Sequence, residues 1–473
     1  MKLKTISTFS LKVSGLLISL FYLLWMNWHN QIPVDAGDGL IHYSIAKQSW
    51  VEPHYFIDHW GKPLFTLLSS GFAQISFAWY TAFNCLVFAF TCFFAFKLFH
   101  QFKLGFVYYI LFPILLVCVP DYVYCVLAGM TEPLFGLLLV AAIYLAFNQK
   151  WILFAIVVSL MPFSRSEGML VVLLGLVLLL FVMEWKAIPF LAFGFVIYAI
   201  IGGVFFDSFW WYLDSPYPED SIYGSGPWYH YIMTWANHFG LITLFLFPFG
   251  MFGCYVAWKK RYTNHFAPIF LFGMAVWAGI IAVHSIFWTF GMQGSAGLTR
   301  IASLGLPVAL LFILIGCHFV TRELNKIPHI AMSILLLLLI NKELSELLYP
   351  IKANPFEAEL IEAAVFAEKN YPNERIYYFH PIIPWKLNCG VKDTHSRLEQ
   401  KYFNGHLDVV MGLKPGSLVI RDPQFGPVEQ GLTLALVEEA KHKLIPIKVI
   451  TTKLPYTVYT GEKVQVVVYR VAP

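Results

Sequence analysis

The chain has 473 residues and a formal net charge of +4; 58% of it is apolar, 18% aromatic and only 13% charged. Soluble domains are about 45–50% apolar and about 25% charged, so a soluble enzyme, a disordered chain, a coiled coil and a disulfide scaffold are excluded. The net charge is too small to call for nucleic acid as a partner.

A bilayer-crossing helix needs about 20 mainly apolar residues. Such runs lie near residues 11–29, 78–99, 104–120, 131–148, 151–163, 168–184, 187–206, 232–257, 266–288, 300–320 and 328–347, which predicts eleven spans. The first run is not read as a cleaved signal, because Trp28, His29, Asn30 and Gln31 follow it without a small-residue cleavage site. Residues 63–77 are half apolar and predict an amphipathic helix on the membrane interface, inside the first outer loop. Six of the seven cysteines lie in or beside apolar runs, and none has metal-ligand spacing, so they read as small hydrophobes.

Basic residues set the orientation. With the N-terminus in the cytoplasm, the inner ends of the spans hold 12 Lys and Arg, and the outer ends hold five: Lys47, Lys62, Arg165, Arg300 and Lys342. Acids up to residue 349 divide the other way, two inside and thirteen outside, which points to a site on the outer face. This topology predicts an integral multi-pass protein of a bacterial inner membrane, with its C-terminus extracytoplasmic. Residues 350–473 carry 15 Lys and Arg and 13 Asp and Glu. The chain therefore divides into a membrane domain, 1–349, and an outer domain, 350–473. In the outer domain Asn354–Asn370 and Glu429–His442 predict helices. Arg375–His380, Ser417–Arg421, Leu444–Thr451 and Lys463–Tyr469 predict strands, together a small α/β fold.

Polar groups near hydrocarbon mark candidate sites. The first outer loop carries Asp35, Asp38, His42, Asp58, His59 and Lys62-Pro63. A helix starting near Asp38 would place Asp38, His42 and Ile45 on one face and hold the Asp38 carboxylate ionised at a helix N-terminus, as a general base requires. A plain helix cap is the competing account. Glu132 opens the fourth span, between Thr131 and Pro133, and is read equally as a site acid or as a first-turn charge. Arg165 and Glu167 read mainly as a pair bracing the bundle, with substrate binding the lesser alternative. Lys62 and Arg300 suit either interface anchoring or a phosphate. The loop 207–231 is aromatic, with Tyr223 and Trp228 among its residues; it reads as an interfacial belt or a sugar-stacking surface. A divalent metal on Asp35, Asp38 and His42, or on Asp58 and His59, is a further alternative without diagnostic spacing.

A first span, an acidic outer loop, a Lys-Pro at its end and an acid opening a later span together resemble the glycosyltransferase-C superfamily. The nearest likeness is to the protein O-mannosyltransferases and the lipid A aminoarabinose transferases. The resemblance rests on Asp38, His42, Tyr43, Ile45, Ala46 and Lys47, on Lys62-Pro63, on Glu132 and on Arg300, within residues 10–320. It implies a membrane glycosyltransferase that moves a sugar from a polyprenyl-phosphate donor to a hydroxyl of a lipid, glycan or protein acceptor on the non-cytoplasmic face, with inversion. It also implies that Asp38 activates the acceptor, that Lys62 and Arg300 meet the phosphate, that Glu132 is the second acid, and that no cofactor is required. Asp35-Ala36-Gly37-Asp38 stands where the superfamily has adjacent Asp and Glu, so Asp35 and Asp38 both remain candidates for the base. Ile41 stands where the aminoarabinose transferases carry an arginine, which implies a different sugar. The rival classes are a secondary transporter and a non-catalytic polysaccharide-assembly protein. The absence of an internal repeat, and the clustering of ionisable groups at one face, argue against the transporter.

Overall fold

The computed structural model describes residues 8–213, 219–262, 265–323, 350, 352–353, 355–388, 397–451 and 465–473. The chain divides into two compact units. One takes Met1–His29, Ile57–Phe72 and Ala78–Tyr349; the other takes Asn30–Phe56, Ala73–Phe77 and Pro350–Pro473. This differs from a division at residue 350: the stretches 30–56 and 73–77, read from sequence as part of the membrane domain, pack with the C-terminal residues.

The helices begin with α1 (Thr8–His29), α2 (Asp38–Gln48, in the second unit), α3 (Pro63–Ala73) and α4 (Phe77–Gln101). They continue with α5 (Phe106–Val117), α6 (Pro120–Leu127), α7 (Glu132–Phe147), α8 (Trp151–Leu160), α9 (Gly168–Phe181) and α10 (Phe193–Phe205). After two one-turn pieces, α11 (His230–Met233) and α12 (Trp235–His238), come α13 (Leu241–Lys259), α14 (Phe266–Phe290) and α15 (Leu306–Glu323). Five stretches are long and apolar enough to cross a membrane: Phe77–Gln101, Trp185–Phe205, Leu241–Lys259, Phe266–Phe290 and Thr299–Arg322. A sixth is added if α5 and α6, bent by 75°, count as one. The protein is a multi-pass helical membrane protein.

Among the described residues, helix length and apolarity together support five or six spans where sequence hydropathy predicts eleven. The apolar runs of α7, α8 and α9 are helical for only 16, 10 and 14 residues. At about 1.5 Å per residue, even the longest of these extends roughly 24 Å, short of a hydrocarbon core of about 30 Å. The run 328–347 lies outside the described residues.

Breaks in the first unit have local causes. Pro120 starts α6, and Gly129, at φ +73°, ends it in a left-handed turn. Asn84 on α4 holds that turn by donating to the carbonyls of Cys125 (3.3 Å) and Met130 (2.8 Å), and the Tyr80 hydroxyl donates to Gly129 O at 2.9 Å. The result delivers Glu132 to the first turn of α7. Elsewhere α13 and α15 approach through small residues: a Cβ on Gly253 would come 1.8 Å from Gly316 O, so backbone meets backbone.

The second unit contains a five-stranded mixed sheet of order β2-β1-β3-β5-β4. Its strands are β1 (Ile376–Tyr378), β2 (Leu398–Gln400), β3 (Leu418–Arg421), β4 (Leu444–Thr451) and β5 (Gln465–Val471). β1 runs parallel to β2 and β3; β5 runs antiparallel to β3 and β4. Helix α16 (Pro355–Asn370) packs on β3, β4 and β5. All four residues of β3 are buried, as expected for a strand covered on both faces. The helix predicted over Glu429–His442 forms only over Leu434–Glu439. Gly431 takes φ +73°, and Thr433 caps the start by accepting from Leu436 N at 3.2 Å.

One buried group in this unit carries a pH signature. Glu359 on α16 is 5% exposed, neither of its oxygens has a hydrogen-bond partner among the described residues, and burial, reinforced by Glu362, pushes its carboxyl up to about 7. The folded value lies above the unfolded one. This contribution to stability is therefore full below about pH 4.5 and is lost as pH rises through about 7. Glu359→Gln is therefore expected to stabilise the unit at pH 8 and to change it little at pH 4. Melting curves of the purified chain at the two pH values check this; equal gains at both would contradict it.

Candidate functional site

In the first unit, an ionic cluster joins α7, the turn before α9, α14 and the 299–305 turn. Gly168 makes that turn feasible, since a Cβ there would come 2.2 Å from the Met161 carbonyl carbon. The turn presents Arg165, Ser166 and Glu167 in succession. Arg165 donates to both Glu167 oxygens, Nε to Oε2 at 3.1 Å and Nη2 to Oε1 at 2.9 Å. Its Nη1 reaches Glu132 Oε1 at 2.8 Å and Thr131 Oγ1 at 3.0 Å. The Thr131 hydroxyl accepts from Arg165 and does not cap α7. His284 Nε2 on α14 lies 3.1 Å from Glu167 Oε1. Arg300 Nε lies 3.7 Å from Glu132 Oε1, with its guanidinium over the Tyr124 ring at 5.9 Å. Asp121, in the first turn of α6, lies in the field of Arg300. Burial alone would raise the Glu167 carboxyl, but the Arg165 guanidinium and the His284 hydrogen bond overrule it and hold it well below the usual carboxylate range. The Glu132 side chain is only 1% exposed and faces two guanidiniums, which balances the cost of burying a charge.

Beside this cluster lies a small cavity lined by His59, Lys62, Phe163, Ser166, Trp211 and Tyr212, among others. Lys62 precedes α3 with φ 61°, in a loop closed by Asp58 and Thr66. Asp58 Oδ1 accepts from Gly61 N at 2.9 Å, and the Thr66 hydroxyl donates to Gly61 O at 2.8 Å. The ammonium of Lys62, a buried residue, lies 3.4 Å from Ser166 Oγ. Trp211 is held by its indole N–H, which donates to Tyr198 O at 2.8 Å, and by His59 Nε2, 2.7 Å from the Trp211 carbonyl. The Trp211 ring occupies the space a Cβ on Gly202 would need. The cavity thus offers one cation, a hydroxyl, an imidazole and aromatic walls. That set suits an anionic head group followed by an apolar chain.

In the second unit, α2 begins at Asp38. Asp35 accepts from Gly37 N at 2.7 Å and Gly39 N at 3.4 Å, so both of its oxygens serve the helix start. His42 is buried on α2 and Asp38 is half-buried.

Each candidate therefore has a place. Glu132, Arg165, Glu167 and Arg300 come together in one cluster of the first unit. Lys62 and His59 line the cavity, and Asp58 shapes its loop. Asp35, Asp38 and His42 belong to the second unit. Tyr223 and Trp228 are exposed, on a segment that pairs with 291–297 (Ser221 N to Gly291 O, 2.7 Å), and they do not line the cavity. Among the described residues, no three His, Cys, Asp or Glu side chains gather as a metal site. Ser166, Trp211, His284, Thr131 and Asp121 were not singled out by sequence. Only His284 carried a usable signal, an ionisable group deep in an apolar run.

No protein-family model matches the sequence, and no curated protein matches it. The fold is similar to that of ArnT from Cupriavidus metallidurans bound to undecaprenyl phosphate. The TM-score is 0.59 at 11% identity, covering 97% of this chain and 97% of that one. The apo state of the same protein aligns with a TM-score of 0.48 at 10% identity, covering 98% and 97%. At such identity the likeness establishes the fold. The chain shares the ArnT fold over nearly its whole length.

Proposed function

We propose that the protein is an integral-membrane glycosyltransferase that moves a sugar from a polyprenyl-phosphate carrier to an acceptor hydroxyl on the non-cytoplasmic face. The observation that carries this is the buried Lys62 ammonium beside Ser166 in an aromatic-walled cavity, on a fold whose solved relative holds undecaprenyl phosphate. Lys62 neutralises the phosphate as the sugar–oxygen bond breaks. Electrostatic stabilisation of this kind is usually the largest catalytic term. Arg300, aligned by Glu132, supplies further positive charge. Glu132 itself is committed to two guanidiniums, which favours an orienting role for it over that of base. Asp35 serves the start of α2, which favours Asp38 as the group that takes the acceptor proton. In-line attack then inverts the anomeric carbon. The N-terminus lies in the cytoplasm and residues 350–473 outside.

Mass spectrometry of lipid that co-purifies with the protein tests the donor class. A polyprenyl phosphate, bound at about one per chain, is the expected result. Bulk phospholipid alone, after expression in cells that make polyprenyl phosphate, would count against it.

A further inference from the structure

The acidic stretch 30–56 and the C-terminal residues form one unit, and an aromatic column lies where they meet. Gly37, immediately before Asp38, faces Phe425: a Cβ on Gly37 would lie 3.9 Å from Phe425 Cζ. Phe425 packs on His380 with ring centroids 4.6 Å apart, and His380 packs on Phe356 at 5.5 Å. Both ring bearers are fixed to the sheet. His380 follows β1, and its Nδ1 accepts from Ile382 N at 3.2 Å. Phe425 follows β3 by way of Asp422, whose Oδ1 accepts from Gln424 N at 2.9 Å and Phe425 N at 2.6 Å. Arg421 Nε closes the return by donating to Leu432 O at 3.1 Å. Burial pushes the His380 imidazole down to about 3, so the column stays uncharged at working pH.

The far end of α2 is held in the same unit. Gln74 donates to Lys47 O at 3.0 Å, and Tyr43 meets Phe77 edge-on at 5.3 Å. The carboxyl ends of neighbouring parallel strands are where open α/β sheets receive ligands. Here the ends of β1 and β3 receive the chain's own acidic loop.

We infer that the C-terminal domain is a positioning device for the catalytic carboxylate, with Phe425 as the positioning residue that fixes Gly37 and thereby Asp38. The inference rests on the proposed role of Asp38 as base.

Phe425→Ala is expected to lower kcat at least tenfold while leaving the affinity for polyprenyl phosphate unchanged, and Phe425→Leu should restore most of the rate. In the Asp38→Asn background, Phe425→Ala should slow transfer no further, because the group it positions is already gone. Parental turnover by Phe425→Ala would overturn the inference, as would multiplicative losses in the double variant. A fully active Asp38→Asn would instead remove the base assignment itself. Melting curves of each variant separate a loss of fold from a loss of position.

Discussion

Asp38→Asn is expected to lower sugar transfer by about 10²–10⁴-fold, the usual contribution of a positioned general base, with donor binding intact. The substitution keeps size and hydrogen-bonding capacity at the start of α2 and removes only the ability to take a proton. Asp35→Asn should behave differently. Asp35 accepts from two backbone amides with separate oxygens, Gly37 N on Oδ1 and Gly39 N on Oδ2, and the single amide oxygen of Asn can keep the shorter of the two bonds. A partial loss of rate is expected there, reflecting a loosened loop. Single-turnover transfer from a polyprenyl-phosphate-linked sugar, measured on purified variants, checks both. If Asp35→Asn proved the more damaging of the two, the assignments would be reversed.

Arg165→Met is expected to have the largest effect on folding. Arg165 is the common partner of Glu132 and Glu167, and its loss leaves one buried and one half-buried carboxylate without their shared guanidinium. Breaking a buried ion pair from one side costs about 3–5 kcal/mol. The thermal midpoint in detergent should fall sharply, and yield should fall with it. Arg165→Met combined with Glu167→Gln should recover part of the loss, because the second change removes one of the stranded charges; contacting residues do not add. A single variant that melted with the parent would show the cluster to be dispensable.

The membrane class of the chain was plain in its composition, and the apolar runs over 78–99, 187–206, 232–257, 266–288 and 300–320 overlap helical stretches long enough to span. The runs over 104–120, 131–148, 151–163 and 168–184 fell short because turns divide them. Hydropathy averages over a window and does not register a Pro120, a Gly129 or a turn at 161–167 that divides one greasy run into short helices. The α16 helix and strands β3 and β4 were legible because their patterns are local. The short strand β2 was not, because Leu398–Gln400 exists through its pairing with β1.

The site divides along the same line. The Arg165 and Glu167 pair could be read from spacing alone. Glu132, 33 residues earlier in the chain, joins it only through the packing of α7 against the turn before α9. Trp211 sits in an aromatic run where nothing distinguishes a cavity wall from an interfacial belt. Gly202, which makes room for it, is one glycine among 32. That the acidic loop folds with residues 350–473 was invisible to sequence, since hydropathy reports solvent preference and not partners.

Binding of undecaprenyl phosphate to the purified parent and to Lys62→Met tests the central claim most directly. Methionine keeps the length and apolar stem and deletes the charge. A charge-assisted hydrogen bond contributes about 1.5–3 kcal/mol, so the variant should bind at least tenfold more weakly while melting at the parental temperature. Equal affinity in the two proteins would contradict a phosphate at Lys62, and with it the proposed donor site.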